Sequence, residues 1–552
     1  MGLLILDRTV VKAFSRRKPA LPVIVLLAIA LVGLLAPGAI GQAQEAEGSP
    51  PSDYDGDGDG LIEVRNLSQL HAVRWDLNGD GVADHADYIS TYTAAFPVAD
   101  GGSVCPGGTT CTGYELTAEL DFDEDGDGQI TAADSTYWNG GAGWHPIGPL
   151  GVTPGLYGTI ENPGSDQPSL FDATFEGNGY TIANLFVKRA RSKSVGLFSV
   201  LGRGADVKNL ELSGVDVEGY YYVGGLGGYS EPNTSITNVQ VTGQVVGYYD
   251  VGGLIGEIFG SLTRSSADVA VTGNTHVGGL VGENEYSGTI SDSFSTGTVT
   301  GTYKDAGGLV GYNEGGLTDK KGTIIRSYAT GSVTGKTNVG GLVGKNLGYI
   351  RASYSMGAVS GVKAVGGLVG FSENGQRVKT SYATGSVSGT SEVGGSVGRT
   401  TRGALSGVYY DSDISGAAGA GGKTTAELTT PTGYSSVFAS WNLDLDNADS
   451  DNDDSTGGDD PWDFGTALQF PALKADFDGD RTATWQEFGE QIREKGSVVL
   501  NSTPKQTEKK EPESKVDVDL GQVETGQQIR YPPPSVKAER RSRLPHRCRG
   551  AL

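Results

Sequence analysis

Through the middle of the chain, apolar and polar positions alternate in runs too short for helices, broken at regular intervals by glycines. The phrase Val-Gly-Gly-Leu-Val-Gly, with small variations, begins at Val223, Val251, Val277, Ala306, Val339 and Val365. A worn copy starts at Val393 and a truncated one at Val195. A period of about 28 residues marks a stack of like supersecondary units rather than one compact globule. A second phrase precedes the later blocks: Ser293-Phe-Ser-Thr-Gly, Ser327-Tyr-Ala-Thr-Gly, Ser353-Tyr-Ser-Met-Gly and Ser381-Tyr-Ala-Thr-Gly. Aligned on their closing glycines, the repeats place Val217, Val245, Val271, Val299, Val333, Val359 and Val387 in one column. Leu226, Leu254, Leu280, Leu309, Leu342 and Leu368 fill another.

Short β-prone runs between glycine turns predict strands, and helix is disfavoured because each glycine costs a helix interior about 1 kcal/mol. About 28 residues hold roughly three short strands with their turns, whereas a propeller blade takes about 40–50. The expected fold is all-β dominant: a right-handed parallel β-helix of about seven to eight coils, flanked by small loop-and-helix segments. Stacking at roughly 4.8 Å would turn the valine and leucine columns into continuous core ladders.

Composition narrows the function classes. The chain has 552 residues, 88 of them glycine, and a formal net charge of −24. Such an acidic protein is a poor candidate for nucleic acid or anionic lipid and a good one for divalent cations. Residues 1–43 read as a signal peptide: Arg8, Lys12, Arg16, Arg17 and Lys18 precede the apolar run Val23 to Leu35, and small residues follow at Ala39, Gly41 and Ala43. The run is too short to span a bilayer, so no integral membrane span is expected after cleavage. Residues 44–140 form an acidic loop region, 141–187 an entry to the β-helix, and 188–416 the repeat array. An acidic segment follows at 417–495 and a disordered tail at 496–552. Cys105 and Cys111 can close a small disulfide in an oxidising compartment.

Four acidic loops carry cation chemistry. Calcium takes many hard oxygen ligands, and carboxylates at alternate positions of a loop wrap one ion, with a glycine at position six making the sharp turn. Asp123, Asp125 and Asp127 lead through Gly128 to Asp134; Asp76, Asn78 and Asp80 lead through Gly81 to Asp84 and Asp87. Asp55, Asp57 and Asp59 are followed by Gly60, but Asn66 is a weaker twelfth ligand. Asp476, Asp478 and Asp480 end on Glu487, with Arg481 in the glycine place. Between the first two loops, Asn66 to Trp75 can form a short helix with Leu67, Leu70 and Val73 on one face.

The Gly-Gly-Leu-Val-Gly blocks resemble the GLUG motif, found in repeat arrays of secreted and surface bacterial proteins that include some adhesins and immunoglobulin A peptidases. The resemblance covers residues 188–416. It implies a secreted or surface role but no peptidase activity. The acidic loops resemble EF-hand and dockerin calcium loops.

Catalytic constellations are hard to find. No His-Glu-x-x-His or phosphate-binding glycine loop is present. His276, in a turn before a glycine block, is expected to face solvent, with Asp250, Asp268, Asp292, Asp305 and Arg264, Arg326, Arg351 scattered over turns and surface. Phe294, Tyr328, Tyr354 and Tyr382 share one column, either an exposed platform for sugar rings or, as favoured here, a packed core ladder. The expected protein is a monomeric, non-catalytic, calcium-stabilised β-helix, extracellular or on the cell surface. Its role would be adhesion or structural display, with glycans or cell-surface proteins as partners of the repeat face. The alternatives are a polysaccharide lyase or hydrolase and a ligand-free stalk.

Overall fold

A computed structural model describes residues 55, 57–75, 111–134, 136–148, 170–316, 321–405, 407–429, 437–438, 441, 462–463 and 470–473, all within the compact unit that ends at Leu500. The repeat array is a parallel β-solenoid of about eight coils, as the periodicity predicts. Every valine of the first column pairs with its counterpart in the next coil, from Val217 opposite Val245 to Val359 opposite Val387. The leucine column is bonded backbone to backbone: Leu226 N–H reaches the Leu254 carbonyl at 2.9 Å, and the chain of bonds continues to Leu368 and Ser396. These side chains are buried, and they form one continuous apolar core. The parallel pairing reaches back beyond the array, since Ile62–Val64 pairs with Gly113–Leu116, which pairs with Thr174–Glu176.

Two faces close each coil. A 30-stranded sheet carries most strands, and a separate eight-stranded sheet contains the strand after each Gly-Gly, from Phe198–Leu201 to Val397–Arg402. Just before the corner, inside the strand of the larger sheet, the chain bends through a non-glycine residue with positive φ: Ser194, Tyr222, Asp250, His276, Asp305, Asn338, Ala364 and Glu392, at φ 51–60°. The paired glycines that follow are needed for space. A Cβ on Gly307 would lie 2.0 Å from the Val310 carbonyl oxygen, and one on Gly308 2.1 Å from the Gly341 oxygen.

Polar ladders run inside the stack. The hydroxyls of Ser265, Ser293, Ser327, Ser353 and Ser381 each accept the backbone N–H of the matching residue one coil earlier, at 3.1–3.3 Å. Asn284 donates to Asn313 at 2.8 Å, and Asn313 to Asn346 at 2.7 Å, all three fully buried. Buried amides linked in this way fix the register of neighbouring coils.

The tyrosine column is core. Phe294, Tyr328, Tyr354 and Tyr382 stack at centroid distances of 4.9, 4.9 and 5.2 Å. The C-terminal segment covers them: Leu428, Phe438, Trp441, Trp462 and Leu473 share their apolar cluster, and the Tyr382 hydroxyl donates to the Pro471 carbonyl at 2.5 Å. An exposed sugar-stacking role for this column is thereby removed.

At the other end, the helix Leu67–Ala72 and the following turn Val73–Trp75 lie where the sequence places a helix, with Leu67, Leu70 and Val73 buried. Beside them Arg74 lies 5.0 Å over the Trp144 ring and donates to the carbonyls of His71 (2.9 Å) and His145 (2.7 Å). Burial first, and then the Arg74 charge, lowers His71 and His145 to about 4. The unfolded chain binds these protons below its ordinary value of about 6.5 and the folded chain only below about 4, so stability present above pH 6.5 is lost as pH falls through this window. Amide protection across residues 62–75, taken relative to the intrinsic exchange rate at each pH, is therefore expected to fall between pH 7 and pH 5. The His71→Gln, His145→Gln double variant should lose that pH dependence.

Candidate cation centres

Two of the four acidic loops lie within the described residues, and both fold into carboxylate-lined turns. In the first, the Asp55 carboxylate accepts the N–H groups of Gly58 (2.8 Å) and Gly60 (3.1 Å), while Asp57 and Asp59 accept those of Asp59 and Leu61. In the second, Asp123 accepts from Asp127 (3.2 Å) and Gly128 (2.8 Å), Asp125 from Asp127 (3.1 Å), and Asp127 from Gln129 (2.7 Å). The sixth-position glycines take the positive φ that the turn demands, 91° at Gly60 and 79° at Gly128. Asp55, Asp57 and Asp59 bring one oxygen each within 4.8 Å of one another, as do Asp123, Asp125 and Asp134. Asp125 accepts the Asp127 N–H, yet burial and the charges of Asp127, Asp134 and Asp123 push its carboxyl above the ordinary range. Asp134 is held low by backbone N–H bonds, first from Thr131 and also from Asp125.

Asn66, at the twelfth position of the first loop, accepts the Gln69 N–H at 2.9 Å through its side chain and caps the helix. The next coil supplies a carboxylate that the sequence does not flag. Glu115, opposite Glu63, is raised by burial and then by the charges of Asp59, Asp57 and Glu63, against a hydrogen bond from Asn178. Asp76, Asn78, Asp80, Asp84, Asp87, Asp476, Asp478, Asp480, Glu487 and Cys105 lie outside the described residues; Cys111 is disulfide-bonded.

The third cluster corrects an expectation. His276 does not face solvent. It sits in a half-buried groove between two columns of side chains, one formed by the positive-φ corner residues and the other by Val200, Tyr229, Glu257, Glu283, Tyr312, Lys345, Phe371 and Arg399. Nor are Asp250 and Asp305 scattered. The His276 Nδ1 lies 2.7 Å from Asp250 Oδ1 and 2.9 Å from Glu283 Oε2, and its Nε2 lies 3.2 Å from Asp305 Oδ2. Asp305 is anchored from behind by Asn338, which donates at 2.6 Å. Elsewhere, Asp292 and Arg326 form a two-pronged pair at 2.6 Å.

Electrostatics in this groove are severe. Burial alone would lower His276, but hydrogen bonds with Asp250, Asp305 and Glu283 outweigh it and hold the ring well above its usual value. Burial, and then Glu283 and Asp250, drive Glu257 far up. Burial raises Glu283 to about 7 despite its bond to His276, and burial with Glu314 raises Glu285 to about 9. Asp305 stays below the ordinary range because His276 outweighs its burial. His276 and Glu283, like Asp250 and Glu257, stand seven residues apart in consecutive coils.

The family model described as the GLUG motif matches residues 219–246, 273–300 and 302–334, close to one coil each. Halomucin of Haloquadratum walsbyi is 32% identical over 244 residues, 44% of this chain and 2% of halomucin. A protein of Evansella cellulosilytica, provisionally named a Gly-rich membrane protein, is 33% identical over 151 residues, 26% of this chain and 16% of that one. The chain thus matches only a small part of either curated relative. A crystal structure of a candidate immunoglobulin A1 protease from Bacteroides ovatus aligns with a TM-score of 0.33 at 14% identity, covering 75% of this chain and 92% of that one.

Proposed function

We propose that this protein is an exported, non-catalytic surface or secreted component whose β-solenoid displays a repetitive face for adhesion, with calcium held in the acidic loops. The observation that carries the reading is the unbroken stack itself, which repeats one outer surface at every coil. Thr272, Thr300, Thr334, Ser360 and Ser388 pair in register, each exposed. Weak contacts repeated at fixed spacing multiply into useful affinity. Beside this hydroxyl ladder, Tyr220 stacks on Tyr248 at 5.2 Å and Tyr221 on Tyr249 at 4.6 Å. These rings, rather than the buried tyrosine column, are the aromatic surface offered to a glycan. Among the described residues, no helix is long and apolar enough to cross a membrane.

Two outcomes test the reading. Binding to a glycan panel should fall at least tenfold in Tyr220→Ala, Tyr248→Ala; unchanged binding, or no binding by the wild type, removes the adhesion role. Calorimetry should show calcium uptake that Asp123→Asn, Asp125→Asn reduces by one ion, with dissociation constants of about 10⁻⁴–10⁻³ M as in extracellular modules of this kind. No heat, or uptake unchanged in that variant, removes calcium from the second loop. The groove favours a second reading as a polysaccharide-active enzyme, since Glu283 and Glu285 can stay protonated near neutrality beside carboxylates that ionise. Polysaccharide turnover lost in Glu283→Gln would establish that alternative.

A further inference from the structure

The groove around His276 holds a donor set unlike the loops. Each loop is all oxygen, whereas this centre pairs an imidazole with carboxylates; Asp250, His276 and Glu283 offer atoms that lie within 4.8 Å of one another. One ring nitrogen faces two carboxylates. His276 Nδ1 carries at most one proton, yet Asp250 Oδ1 and Glu283 Oε2 both approach it within 2.9 Å. The far nitrogen faces Asp305, which is 1% exposed. Its Oδ2 makes a close ion contact with Nε2, but has no hydrogen bond of normal geometry among the described residues. The Asp305 charge beside the far nitrogen favours a proton on Nε2, so a cation that displaces the Nδ1 proton meets a lone pair there, as in metal-bound histidines.

The neighbouring coil adds an independent observation. Glu257 lies directly opposite Glu283 in the parallel pairing and is only 6% exposed, with no ion-pair partner among the described residues. Like charges directly opposite are destabilising. Later coils avoid the conflict with Lys345 over Tyr312 and with the pair Glu392 and Arg399. The coils of Asp250 and His276 concentrate acid here, and Glu314 of the next coil lies close to Glu283 and Glu285.

We propose that Asp250, His276 Nδ1 and Glu283 bind one divalent first-row cation of the zinc type, with Asp305 as the residue that positions the imidazole. Imidazole with carboxylate suits zinc and its neighbours, whereas calcium takes six to eight oxygens. A tetrahedral ion at about 2.0–2.2 Å from its donors sets them roughly 3.3–3.6 Å apart. The observed 2.7 and 2.9 Å therefore need to open by roughly 0.4–0.9 Å. Three protein donors leave a fourth place free.

The test uses the full chain, saturated with calcium so that the loops are occupied, and titrated with zinc and, for its visible absorption, cobalt(II). One zinc per chain is expected, with a tetrahedral cobalt spectrum. His276→Asn, which keeps a side chain tolerant of positive φ, should weaken zinc at least tenfold in protein that still melts cooperatively without metal. Asp305→Asn should weaken it 10–100-fold, as loss of an orienting partner does. Absence of a tight zinc site in the calcium-loaded wild type overturns the proposal, as does equal affinity in His276→Asn. Asp123→Asn, Asp125→Asn should leave zinc binding intact, so failure of the calcium reading and failure of this one are separable.

Discussion

Gly340→Ala is expected to destabilise the solenoid by about 3 kcal/mol or more. A Cβ at this position would lie 2.1 Å from the Val343 carbonyl oxygen, 2.7 Å from the Gly370 nitrogen and 2.9 Å from the Leu368 oxygen. All three are backbone atoms, from the same coil and the next, so no side chain can swing aside to make room. Relief requires the two coils to part, which breaks the bonds that carry the leucine ladder. Because each unit of a solenoid touches only its neighbours, the damage should start at these coils and spread along the stack. Urea unfolding and amide exchange across 337–370 would register it. Gly227→Ala is the control: its nearest neighbour is 3.6 Å away, in a column where Ile255 and Val281 already stand. Melting unchanged in Gly340→Ala would contradict the packing described for the Gly-Gly corner.

Tyr354→Ala should cost about 4 kcal/mol, the range found when buried aromatic side chains are truncated. The ring is fully buried and stacks on Tyr328 at 4.9 Å and on Tyr382 at 5.2 Å, with Trp462 at 6.2 Å. Its removal opens a void in the middle of the ladder and loosens the segment packed over it. Limited proteolysis around Phe438, Trp441 and Trp462 should then be faster than in the wild type. Tyr354→Phe should do the reverse. The Tyr354 hydroxyl is buried with no hydrogen-bond partner among the described residues, and leaving such a group unsatisfied costs about 1–3 kcal/mol. Loss of that hydroxyl should therefore raise the melting temperature, and a drop would show that it has a partner.

How much of this was legible in the sequence follows from what repetition encodes. Val271, Val299 and Leu280 were readable because a core column must be filled alike in every coil. Gly307 and Gly308 were readable because the corner excludes a Cβ each time. The groove was not, because its residues differ from coil to coil. At the positive-φ corner, Tyr222, Asp250, His276, Asp305, Asn338 and Ala364 share a backbone shape and little chemistry. Periodicity reveals what is constant, and this centre is built from what varies. His276 was misjudged for a related reason: a turn residue normally faces water, but here the strand Val281–Asn284 folds back and Glu283 closes over the ring. Asn66 shows the complementary limit, since its place in the acidic spacing and its place before Leu67 offered two uses for one side chain, and in the structure it caps the helix.

The segment over the tyrosine ladder also has a mechanical meaning. Bonds between coils lie along the stack axis, so a pull from end to end loads them directly and would peel the coils off singly, each at low force. Phe438, Trp441, Trp462 and Leu473 share one cluster with Tyr328, Tyr354 and Tyr382, which stand on three successive coils. Anything that lifts one of these coils must also shear that covering. The segment is a splint, and it should convert a sequence of small yields into one larger rupture.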